Sequence, residues 1–355
     1  MNSRIPKTTT AAVLRELGKP LEIISGICIP PLSRGQVLVE IFFSGLCQSQ
    51  VKEIDGARGK DNYLPHMLGH EGTGRVLSIG DGVKKVCPGD QVVLGWIKGS
   101  GLETGGMVYE TIHGEKINAG AITTFGYHAI VSENRLVKLP AETPIDLGVL
   151  YGCALPTGAG IIFNEISLSK ESNIIIFGLG GVGLSALIAA KTFQPRTLIA
   201  IDIEKKKLDL AVQFGATHVF NSSDENLLTK VKNITGGSGA DFAIEAAGFT
   251  ETIELAFGLI KRNGGKVVFA THPASGEKIS IDPFELICGK NIKGSWGGNS
   301  KPDHDIPRMN KLYAEGQLPL EKFLSHRFTL ENINDAVSAL RDRKIVRALI
   351  TMSHN

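Results

Sequence analysis

The sequence predicts a mixed α/β protein with two domains, one rich in β-strands and one built on a doubly wound parallel sheet. Three observations carry this prediction. The chain has 355 residues, more than one ordinary domain, and the pattern of its apolar residues changes near residue 170. Glycine accounts for 42 of the 355 residues, about 12% against a usual level of roughly 7%, and its scatter between apolar runs indicates many tight turns.

The first 155 residues or so consist of short apolar runs cut by glycine and proline, such as QVLVEIFFSG, EGTGRVLSIG and GDQVVLGW. Such runs between turn residues indicate β-strands. Many short strands without long helical patterns favour a barrel or a sandwich. After about residue 300 the pattern is irregular again and ends in a helix (NINDAVSALRDR) and a strand (RALITM). We assign residues 1–154 and 300–355 to this β-rich domain.

The second predicted domain, residues 155–299, alternates strands with helices. It begins with NIIIFG, a continuous apolar run of the kind found in strands buried on both faces of a parallel sheet. The helix VGLSALIAAKTF, the strand TLIAID and the helix EKKKLDLAVQFG follow. The alternation continues with THVF, a helix over 227–234, FAIEAAG, a helix over 252–260 and KVVFAT. This regular order is typical of a doubly wound α/β sheet.

A glycine-rich turn, GLGGVG, lies between the first strand and the first helix of this domain. Gly178, Gly180 and Gly183 have the spacing of the dinucleotide-binding fingerprint, with Gly181 and Val182 between the last two. The first glycine permits the tight turn, the second lets the backbone approach a pyrophosphate, and the third lets helix and strand pack closely. The pyrophosphate would lie at the helix N-terminus, where unpaired N–H groups favour anions.

Asp202 ends the second strand, 24 residues after Gly178. A carboxylate there can bind both ribose hydroxyls and repel a 2′-phosphate, so we predict NAD as the cofactor. The lysines at 205–207 could instead favour NADP, but we interpret them as a solvated helix face, with Lys207 contacting the adenosine ribose. The alternative is a packing turn with a surface aspartate.

Three candidate metal ligands lie in the β-rich half: Cys47 in GLCQSQ, His70 in LGHEGTG and Cys153 in YGCALPTGAG. Their wide separation is unlike that of a zinc finger, whose ligands come in close pairs. Two thiolates and one imidazole with an open fourth position do form a known catalytic zinc set. Taken singly, each of these residues would more often be structural.

The neighbouring motifs resemble those of the medium-chain zinc alcohol dehydrogenase family. They are GLC at 45–47, GHEGTGRVLSIGDGVKKVCPGDQV from residue 69, GC at 152–153 and TG at 157–158. With GLGGVG and the closing RALITM, the resemblance covers essentially the whole chain. It implies a GroES-like catalytic domain and a Rossmann domain. It also implies one catalytic zinc on Cys47, His70 and Cys153, and hydride transfer between NAD and an alcohol or its carbonyl.

The resemblance also implies roles for other residues. Ser49 matches the hydroxyl residue that takes the substrate's proton, and Glu71 matches the glutamate beside the metal. Thr157 matches a residue that packs against the nicotinamide, and Arg347 one that contacts the pyrophosphate. With the metal acting as a Lewis acid, these groups would support oxidation of an alcohol and the reverse reduction.

The run after Cys47 departs from the family. Gln48 replaces an arginine often found near the pyrophosphate. Gln50 replaces an aspartate that accepts a hydrogen bond from the zinc-bound imidazole, so we expect Gln50 to orient His70 without adding negative charge. Lys52 stands where some relatives have a histidine at the end of the proton path, and we group it with the catalytic residues.

Two interpretations of the substrate remain. The changes near Cys47 either are neutral or provide amide and ammonium donors for a polar substrate, such as a polyol, sugar or cyclitol, which is slightly favoured. Trp96 and Phe125 stand where the family often has aromatic walls, and they favour an apolar or aromatic alcohol. Two other functions compete with this one: a zinc-independent reductase of quinones or activated double bonds, and a non-catalytic dinucleotide-binding protein.

Many members of the family carry a lobe with four cysteines that bind a second, structural zinc. The corresponding segment here, WIKGSGLETGGMVYETIHGEKINAG, contains no cysteine. We therefore predict one zinc per subunit. The segment KISIDPFELI resembles the one through which relatives pair their sheets, which predicts a homodimer or homotetramer.

Composition argues against several other partners. The net charge is +2 and the basic residues form no long block, so neither nucleic acid nor an anionic membrane is expected. No apolar stretch reaches the roughly 18 residues of a membrane span, and the N-terminus lacks the apolar core of a secretory signal. Five widely spaced cysteines do not suggest a disulfide framework, so we expect a cytoplasmic protein.

Overall fold

The computed structural model describes residues 5–352 and divides the chain into two compact units. Unit 1 runs as far as Cys153 and includes Lys301–Ala314 and the chain from Leu320 onward. Unit 2 consists of Ala154–Ser300 and the short segment Glu315–Pro319. The predicted domain boundaries lie within one residue of the two main boundaries, but the assignment of the short segment was not predicted.

The strands are short and most lie in the first half of the chain. They are β1 (Thr8–Leu14), β2 (Glu22–Cys28), β3 (Gln36–Leu46), β4 (His66–Met67), β5 (Glu71–Ile79), β6 (Gln91–Gly95), β7 (Met107–Thr111), β8 (Lys116–Ala119), β9 (His128–Ser132), β10 (Leu136–Lys138), β11 (Asn173–Phe177), β12 (Thr197–Asp202), β13 (His218–Asn221), β14 (Phe242–Glu245), β15 (Lys266–Phe269), β16 (Asn291–Gly294), β17 (His326–Thr329) and β18 (Ala348–Thr351).

The helices lie mainly in the second half. They are α1 (Gln48–Ile54), α2 (Ala154–Gly160), α3 (Gly181–Lys191), α4 (Lys205–Gln213), α5 (Leu227–Ile234), α6 (Thr250–Leu259), α7 (Pro283–Ile287), α8 (Pro302–Ala314) and α9 (Ile333–Arg341). Short 3₁₀ segments cover Glu133–Arg135, Leu147–Gly152, Gly297–Asn299 and Leu320–Phe323, and a π-helical turn, Ile161–Glu165, extends α2. Among the described residues, no helix is both long and apolar enough to cross a membrane.

Unit 1 combines a closed barrel of strand order β1-β2-β7-β8-β4 with a sheet of order β10-β6-β5-β3-β18-β17, in which β9 also pairs with β3. The predicted β-rich domain is therefore confirmed, and of the two predicted alternatives, a barrel or a sandwich, it contains a closed barrel. The long strand β3 buries both of its faces. Val37, Val39 and Ile41 enter one apolar core, while Leu38 enters a second core with barrel residues such as Val13. This follows from the two-residue period of a strand.

Unit 2 contains a six-stranded parallel sheet of order β13-β12-β11-β14-β15-β16. All five residues of β11 are buried, as the continuous apolar run predicts. Counted from β11, the order is 3-2-1-4-5-6, which confirms the doubly wound fold. The order reverses between β11 and β14, whose last residues, Phe177 and Glu245, are paired in register. Ligands bind at the carboxyl ends of the strands at such a switch point.

Four helices, α1, α2, α7 and α8, were not predicted. α1 follows Cys47 directly, inside the half that the pattern indicated to be β-rich. α8 has thirteen residues where the sequence pattern looked irregular, because it begins with Pro302 and contains Pro307. Proline at the first helical position costs no hydrogen bond, since that N–H would be unpaired anyway.

Candidate active site

Strand register brings the ends of several strands of unit 1 to one edge. The last residue of β3, Leu46, pairs with Ala348, the first of β18. The first residue of β5, Glu71, pairs with Gly95, the last of β6. Because β3 also pairs with β5, the residues just beyond these ends lie near one another. Cys47 is one of them.

Cys47, His70 and Cys153 form a cluster in which the potential ligand atoms all lie within 4.8 Å of one another. The Nε2 atom of His70 lies 3.2 Å from the Sγ atom of Cys153. Cys153 is buried and the other two are half-buried. Two sulfurs and one imidazole nitrogen at this spacing fit a zinc ion that retains one open coordination position. The structure thus brings the predicted ligands together.

Glycines beside the ligands make this approach possible. Gly69 has a φ of 92°, a left-handed conformation that side chains rarely adopt, and a Cβ atom there would lie 2.7 Å from the backbone nitrogen of Phe125. A Cβ atom on Gly152 would lie 2.7 Å from the Cβ atom of Glu71. These two glycines allow the loops carrying His70 and Cys153 to pack closely.

Hydroxyl groups fix the backbone after His70. The carbonyl oxygen of Glu71 accepts hydrogen bonds from Ser44 Oγ at 3.0 Å and from Thr124 Oγ1 at 3.1 Å. Both hydroxyl residues are fully buried, and their oxygens lie 2.6 Å apart. Sequence reasoning missed this pair, because a serine in an apolar strand and a threonine in a loop carry no distinctive signal of a role near a metal.

Gln50 fixes the backbone before His70. Its Oε1 atom accepts a 2.5 Å hydrogen bond from the Gly69 N–H, and its Nε2 atom donates to Glu53 Oε2 at 2.9 Å. We expected Gln50 to orient the imidazole of His70 directly. This was wrong, because the Gln50 amide contacts the backbone at Gly69 instead of the ring. The helical position of Gln50 directs its amide at the Gly69 peptide and at Glu53.

The cluster also shifts the protonation of its members. Hydrogen bonds from Cys153 and then His70 hold the pKa of the Cys47 thiol well below its ordinary value, against the effect of burial. The hydrogen bond to Cys47, together with burial, raises the pKa of Cys153 well above its ordinary value. Burial alone lowers the pKa of His70, but the hydrogen bond and charge of Cys47 raise it overall. In the metal-free cluster, the thiolate form is thus favoured at Cys47 and the neutral thiol at Cys153.

A buried ion pair lies beside the cluster. Arg347 immediately precedes β18 and makes ion-pair contact with Glu71 Oε1, and both side chains are almost fully buried. Burial raises the pKa of Glu71, while the charge of Arg347 opposes this rise. Neither carboxylate oxygen of Glu71 has a hydrogen bond of good geometry among the described residues. Glu71 therefore lies beside the ligand set as predicted, and its charge is balanced by Arg347.

The other two predicted catalytic residues, Ser49 and Lys52, and the predicted cofactor-binding residue Gln48 lie on α1. Gln48 is exposed at its first position, and Ser49 is half-buried at the second. Lys52 is half-buried in the last turn, where a cation also stabilises a helix C-terminus. Ser49 and Lys52 are three residues apart and so share one face of the helix.

Trp96 and Phe125, the residues predicted to form aromatic walls of the substrate pocket, differ in burial. Trp96 directly follows β6, is half-buried, and donates its backbone N–H to the carbonyl oxygen of Gly152 at 3.3 Å. It therefore lies beside the ligand Cys153. Phe125 is fully buried in the apolar core of unit 1. Its role in a substrate pocket stays a prediction.

The segment without cysteine is held by carboxylates. Glu133 accepts hydrogen bonds from the backbone N–H groups of Lys84, Lys85 and Leu102 at 2.6–2.8 Å. Glu103, within the segment, pairs with Lys98 at 2.8 Å. Part of the segment forms β7 and β8, which complete the closed barrel. A lysine cation thus pairs with the carboxylate of Glu103, and backbone N–H groups bind the carboxylate of Glu133.

In unit 2, the glycine-rich turn has the three features that its sequence predicts. Gly178 has a φ of 79°, and a Cβ atom there would overlap the backbone nitrogen of Ala247. A Cβ atom on Gly183 would overlap the carbonyl oxygen of Gly178. At Gly180, by contrast, a Cβ atom would meet nothing within 4 Å. This open space precedes α3, which begins with Gly181 and Val182, and it suits an approaching phosphate.

Asp202 is buried at the end of β12, and backbone donors hold its carboxylate. Its Oδ2 atom accepts from the N–H of Leu179 at 2.7 Å, and its Oδ1 atom accepts from the N–H of Glu204 at 2.9 Å. The Nζ atom of Lys207 lies 3.8 Å from Oδ2. The turn, the carboxylate and the lysine are thus adjacent, as a ribose site requires.

Two further residues of unit 2 bear on a cofactor site. Thr157 in α2 is buried, and its hydroxyl has no hydrogen-bond partner within residues 5–352. Glu245, which sequence reasoning missed, ends β14 and accepts hydrogen bonds from the N–H groups of Ala247 and Gly248 at 2.9 and 2.8 Å. Burial raises its pKa despite these bonds. The signal was available, since FAIE places a carboxylate at the end of an apolar strand.

Family comparisons agree with this arrangement. Residues 33–141 match the family described as alcohol dehydrogenase GroES-like domain, and residues 181–315 match the family described as zinc-binding dehydrogenase. The chain is 30% identical over 365 residues to S-(hydroxymethyl)glutathione dehydrogenase of Escherichia coli (strain SMS-3-5 / SECEC). That match covers 96% of this chain and 98% of the relative.

Solved structures show the same likeness. An alcohol dehydrogenase zinc-binding domain protein from Burkholderia ambifaria is similar with a TM-score of 0.89 at 30% identity, over 98% of this chain and 99% of the other. Benzyl alcohol dehydrogenase from Acinetobacter calcoaceticus is similar with a TM-score of 0.88 at 28% identity, over 98% and 100% of the two chains.

Proposed function

The chain belongs to the medium-chain zinc-dependent alcohol dehydrogenase family, and from this premise we propose that it interconverts an alcohol and its aldehyde or ketone with NAD. The observation that carries the proposal is the cluster of Cys47, His70 and Cys153. A zinc-independent reductase would have no use for two thiols and an imidazole within 4.8 Å. A non-catalytic dinucleotide-binding protein would have no use for them either.

The chain's own residues would divide the chemical work as follows. Cys47, His70 and Cys153 would hold a zinc ion that supplies Lewis acidity toward a substrate oxygen, and NAD would supply the hydride acceptor. Ser49, two residues after Cys47, accepts the proton of the substrate hydroxyl. As Ser49 accepts this proton it releases its own hydroxyl proton, which Lys52, on the same face of α1, would take up in its neutral amine form and then lose to solvent. Glu71, balanced by Arg347, holds a carboxylate beside the ligand set.

The cofactor would be held by both backbone and side chains. The open space at Gly180 and the N-terminus of α3 receive the pyrophosphate, and Asp202 accepts hydrogen bonds from the ribose. Lys207 contacts the same ribose and Thr157 the nicotinamide. Arg347 and Gln48 complete the set at the pyrophosphate. Asp202 favours NAD over NADP because its charge repels a 2′-phosphate.

We propose a primary alcohol with an apolar or aromatic substituent as the substrate. The amide of Gln50 is occupied by the Gly69 N–H and by Glu53, which removes one of the donors that a polyol or sugar would need. Trp96 lies beside Cys153 through its bond to Gly152. The sequence alone slightly favoured a polar substrate, and we now favour an apolar or aromatic alcohol instead. The structural likeness to a benzyl alcohol dehydrogenase supports this change.

The test is NADH formation with benzyl alcohol, 1-hexanol, sorbitol, myo-inositol and S-(hydroxymethyl)glutathione, with and without a zinc chelator. We expect the highest kcat/KM for benzyl alcohol or 1-hexanol, and loss of turnover with chelator. Trp96→Ala should lower kcat/KM for benzyl alcohol about tenfold, equal to ~1.4 kcal/mol. A preference for sorbitol or inositol would overturn the substrate proposal, and chelator-resistant turnover would overturn the zinc mechanism.

We also propose that the protein acts in the cytoplasm as an oligomer of identical chains. β16 is an edge strand of the parallel sheet, and the preceding helix α7 exposes Phe284, Leu286 and Ile287. Exposed apolar residues beside a sheet edge favour pairing with a second copy. Ile287→Glu should reduce the mass measured by analytical ultracentrifugation. If the wild-type protein has the mass of a single chain in this measurement, the proposal of an oligomer is contradicted.

A further inference from the structure

We propose that Glu53 is a positioning residue of the zinc centre, acting through Gln50 on the peptide that precedes His70. The inference rests on the proposed zinc chemistry, because it concerns how one zinc ligand is held. It assigns a role to three residues of this chain, Gln50, Glu53 and Arg58, that the catalytic proposal leaves unused.

The amide of Gln50 is buried, and only 4% of this residue is exposed. A buried amide group that lacks partners costs roughly 1–3 kcal/mol, so its hydrogen bonds matter. Its oxygen accepts from the Gly69 N–H at 2.5 Å and its nitrogen donates to Glu53 Oε2 at 2.9 Å. Both ends of the amide are therefore occupied.

The direction of that amide is set by Glu53 and by the Gly69 N–H. A glutamine side chain can turn over and exchange its oxygen and nitrogen. A carboxylate only accepts hydrogen bonds, so Glu53 requires the NH₂ group of Gln50 on its own side. The oxygen of Gln50 must then face the Gly69 N–H. The Gly69 N–H requires the same direction, so without an acceptor at position 53 the amide keeps this partner but loses the contact that holds its NH₂ group in place.

The peptide at Gly69 has little room to move. Its φ of 92° is left-handed, and a Cβ atom there would lie 2.7 Å from the backbone nitrogen of Phe125. The amide of Gln50 is the partner of its N–H group. On the other side of His70, hydroxyl groups already hold the carbonyl of Glu71. Glu53 thus controls a side-chain contact to the backbone just before the ligand.

Glu53 is itself fixed by a cation. The Nη1 atom of Arg58 donates to its Oε2 atom at 2.8 Å, and the Glu53 side chain is 20% exposed. The chain of contacts runs from Arg58 through Glu53 and Gln50 to the backbone next to His70. These contacts orient the peptide at Gly69. The Gln50 amide separates the negative charge of Glu53 from that peptide.

The test measures zinc affinity by competition with a chromophoric chelator, on the full-length protein. Loss of an outer partner of a zinc ligand typically weakens metal binding 10–100-fold. We expect Glu53→Ala to weaken zinc binding about tenfold. Glu53→Gln, which retains an acceptor oxygen, should stay within about threefold of wild type, and Glu53→Lys should be the weakest.

A matched control is Glu40→Ala. Glu40 pairs with Arg75 at 2.7 Å in the same unit, and its side chain is 15% exposed, so the change removes a comparable ion pair away from the cluster. We expect its zinc affinity to equal that of wild type. The Tm of each zinc-free variant separates general destabilisation from an effect on the metal.

A double-mutant cycle gives the second, independent readout. If Glu53 acts through Gln50, the double variant Gln50→Ala with Glu53→Ala should bind zinc as weakly as Gln50→Ala alone. Additive losses would overturn the proposal, as would a Glu53→Ala affinity equal to that of the Glu40 control. A wild-type chain that binds no zinc would instead refute the proposed function, and this inference with it.

Discussion

The metal cluster of unit 1 and the glycine-rich turn of unit 2 are built on opposite principles. The cluster depends on side chains from three distant positions, Cys47, His70 and Cys153. Strand register places the first two, and a hydrogen bond from the Trp96 N–H to the Gly152 carbonyl places the third. The turn depends on six consecutive residues, and its key property is that a Cβ atom on Gly180 would meet no atom of residues 5–352 within 4 Å. One site is made by placing functional groups, the other by leaving backbone accessible.

This difference predicts which substitutions should inactivate each site. A site made of side chains should be lost when one ligand atom is exchanged, even if the fold is unchanged. A site made of backbone should tolerate or reject a methyl group according to the space at each glycine. The carboxylate-held segment of unit 1 provides a third case, because Glu103 and Glu133 find their partners within the protein.

The largest effect is expected at the cluster. Cys47→Ser replaces a thiolate by a weaker ligand, and we expect kcat/KM to fall at least about 10³-fold, equal to ~4 kcal/mol, with loss of bound zinc. Cys87→Ser is the control, because that thiol is exposed and lies outside the cluster. A Cys47→Ser enzyme that retains zinc and activity would show that the cluster is not the catalytic centre.

The glycine turn could be predicted from sequence, whereas the cluster could be recognised only through its neighbouring motifs. GLGGVG carries its geometry locally, and the apolar run before it identifies the strand. The spacing of Cys47, His70 and Cys153 carries no such information, because β-sheet register lies between them. The helix that places Gln50 was not predicted, so its hydrogen bond to Gly69 could not be predicted either.

Contacts made by polar residues in strands and in the loop after β8 were the least predictable. Ser44 and Thr124 hold the backbone after His70, and the Glu245 carboxylate holds a turn in unit 2. Their roles follow from which backbone groups the tertiary fold leaves nearby. Helix α8 was missed for a local reason, because Pro302 and Pro307 masked it.

The second prediction compares two glycines of the turn. Gly183→Ala should lower the free energy of unfolding by roughly 1–3 kcal/mol, because the added methyl overlaps the Gly178 carbonyl. Gly180→Ala should retain the wild-type Tm but weaken NADH binding about tenfold, measured by fluorescence titration. Equal behaviour of the two variants in both measurements would contradict the division of roles.

The third prediction concerns Asp202, the main side-chain contribution to the second site. Asp202→Asn removes the charge that repels a 2′-phosphate, so the ratio of kcat/KM for NAD to that for NADP should fall about tenfold. Asp209→Asn, on the exposed face of α4, is the control and should leave the ratio unchanged. An unchanged ratio in Asp202→Asn would mean that the Asp202 charge does not select the cofactor.

The smallest effect is expected at Glu103. Burial by itself would raise the pKa of Glu103, but Lys98, the Gly105 N–H and Arg135 together lower it to about 2, from an ordinary 4.5. Its contribution to stability is therefore present above pH 4.5 and is lost as the pH falls toward 2. Glu103→Gln should have a lower Tm than wild type at pH 7, and the difference should shrink between pH 4.5 and 2. A difference that does not vary with pH would contradict this assignment.

The central claim is that Cys47, His70 and Cys153 hold one catalytic zinc ion per chain. The segment at 96–120, which in many relatives binds a second zinc, is held here by carboxylates instead. Elemental analysis of purified wild-type protein, with NAD-dependent alcohol oxidation measured on the same sample, tests the central claim directly. We predict one zinc per chain, and loss of metal and activity together on chelation. An active protein with no zinc, or a stoichiometry close to two, would contradict the claim.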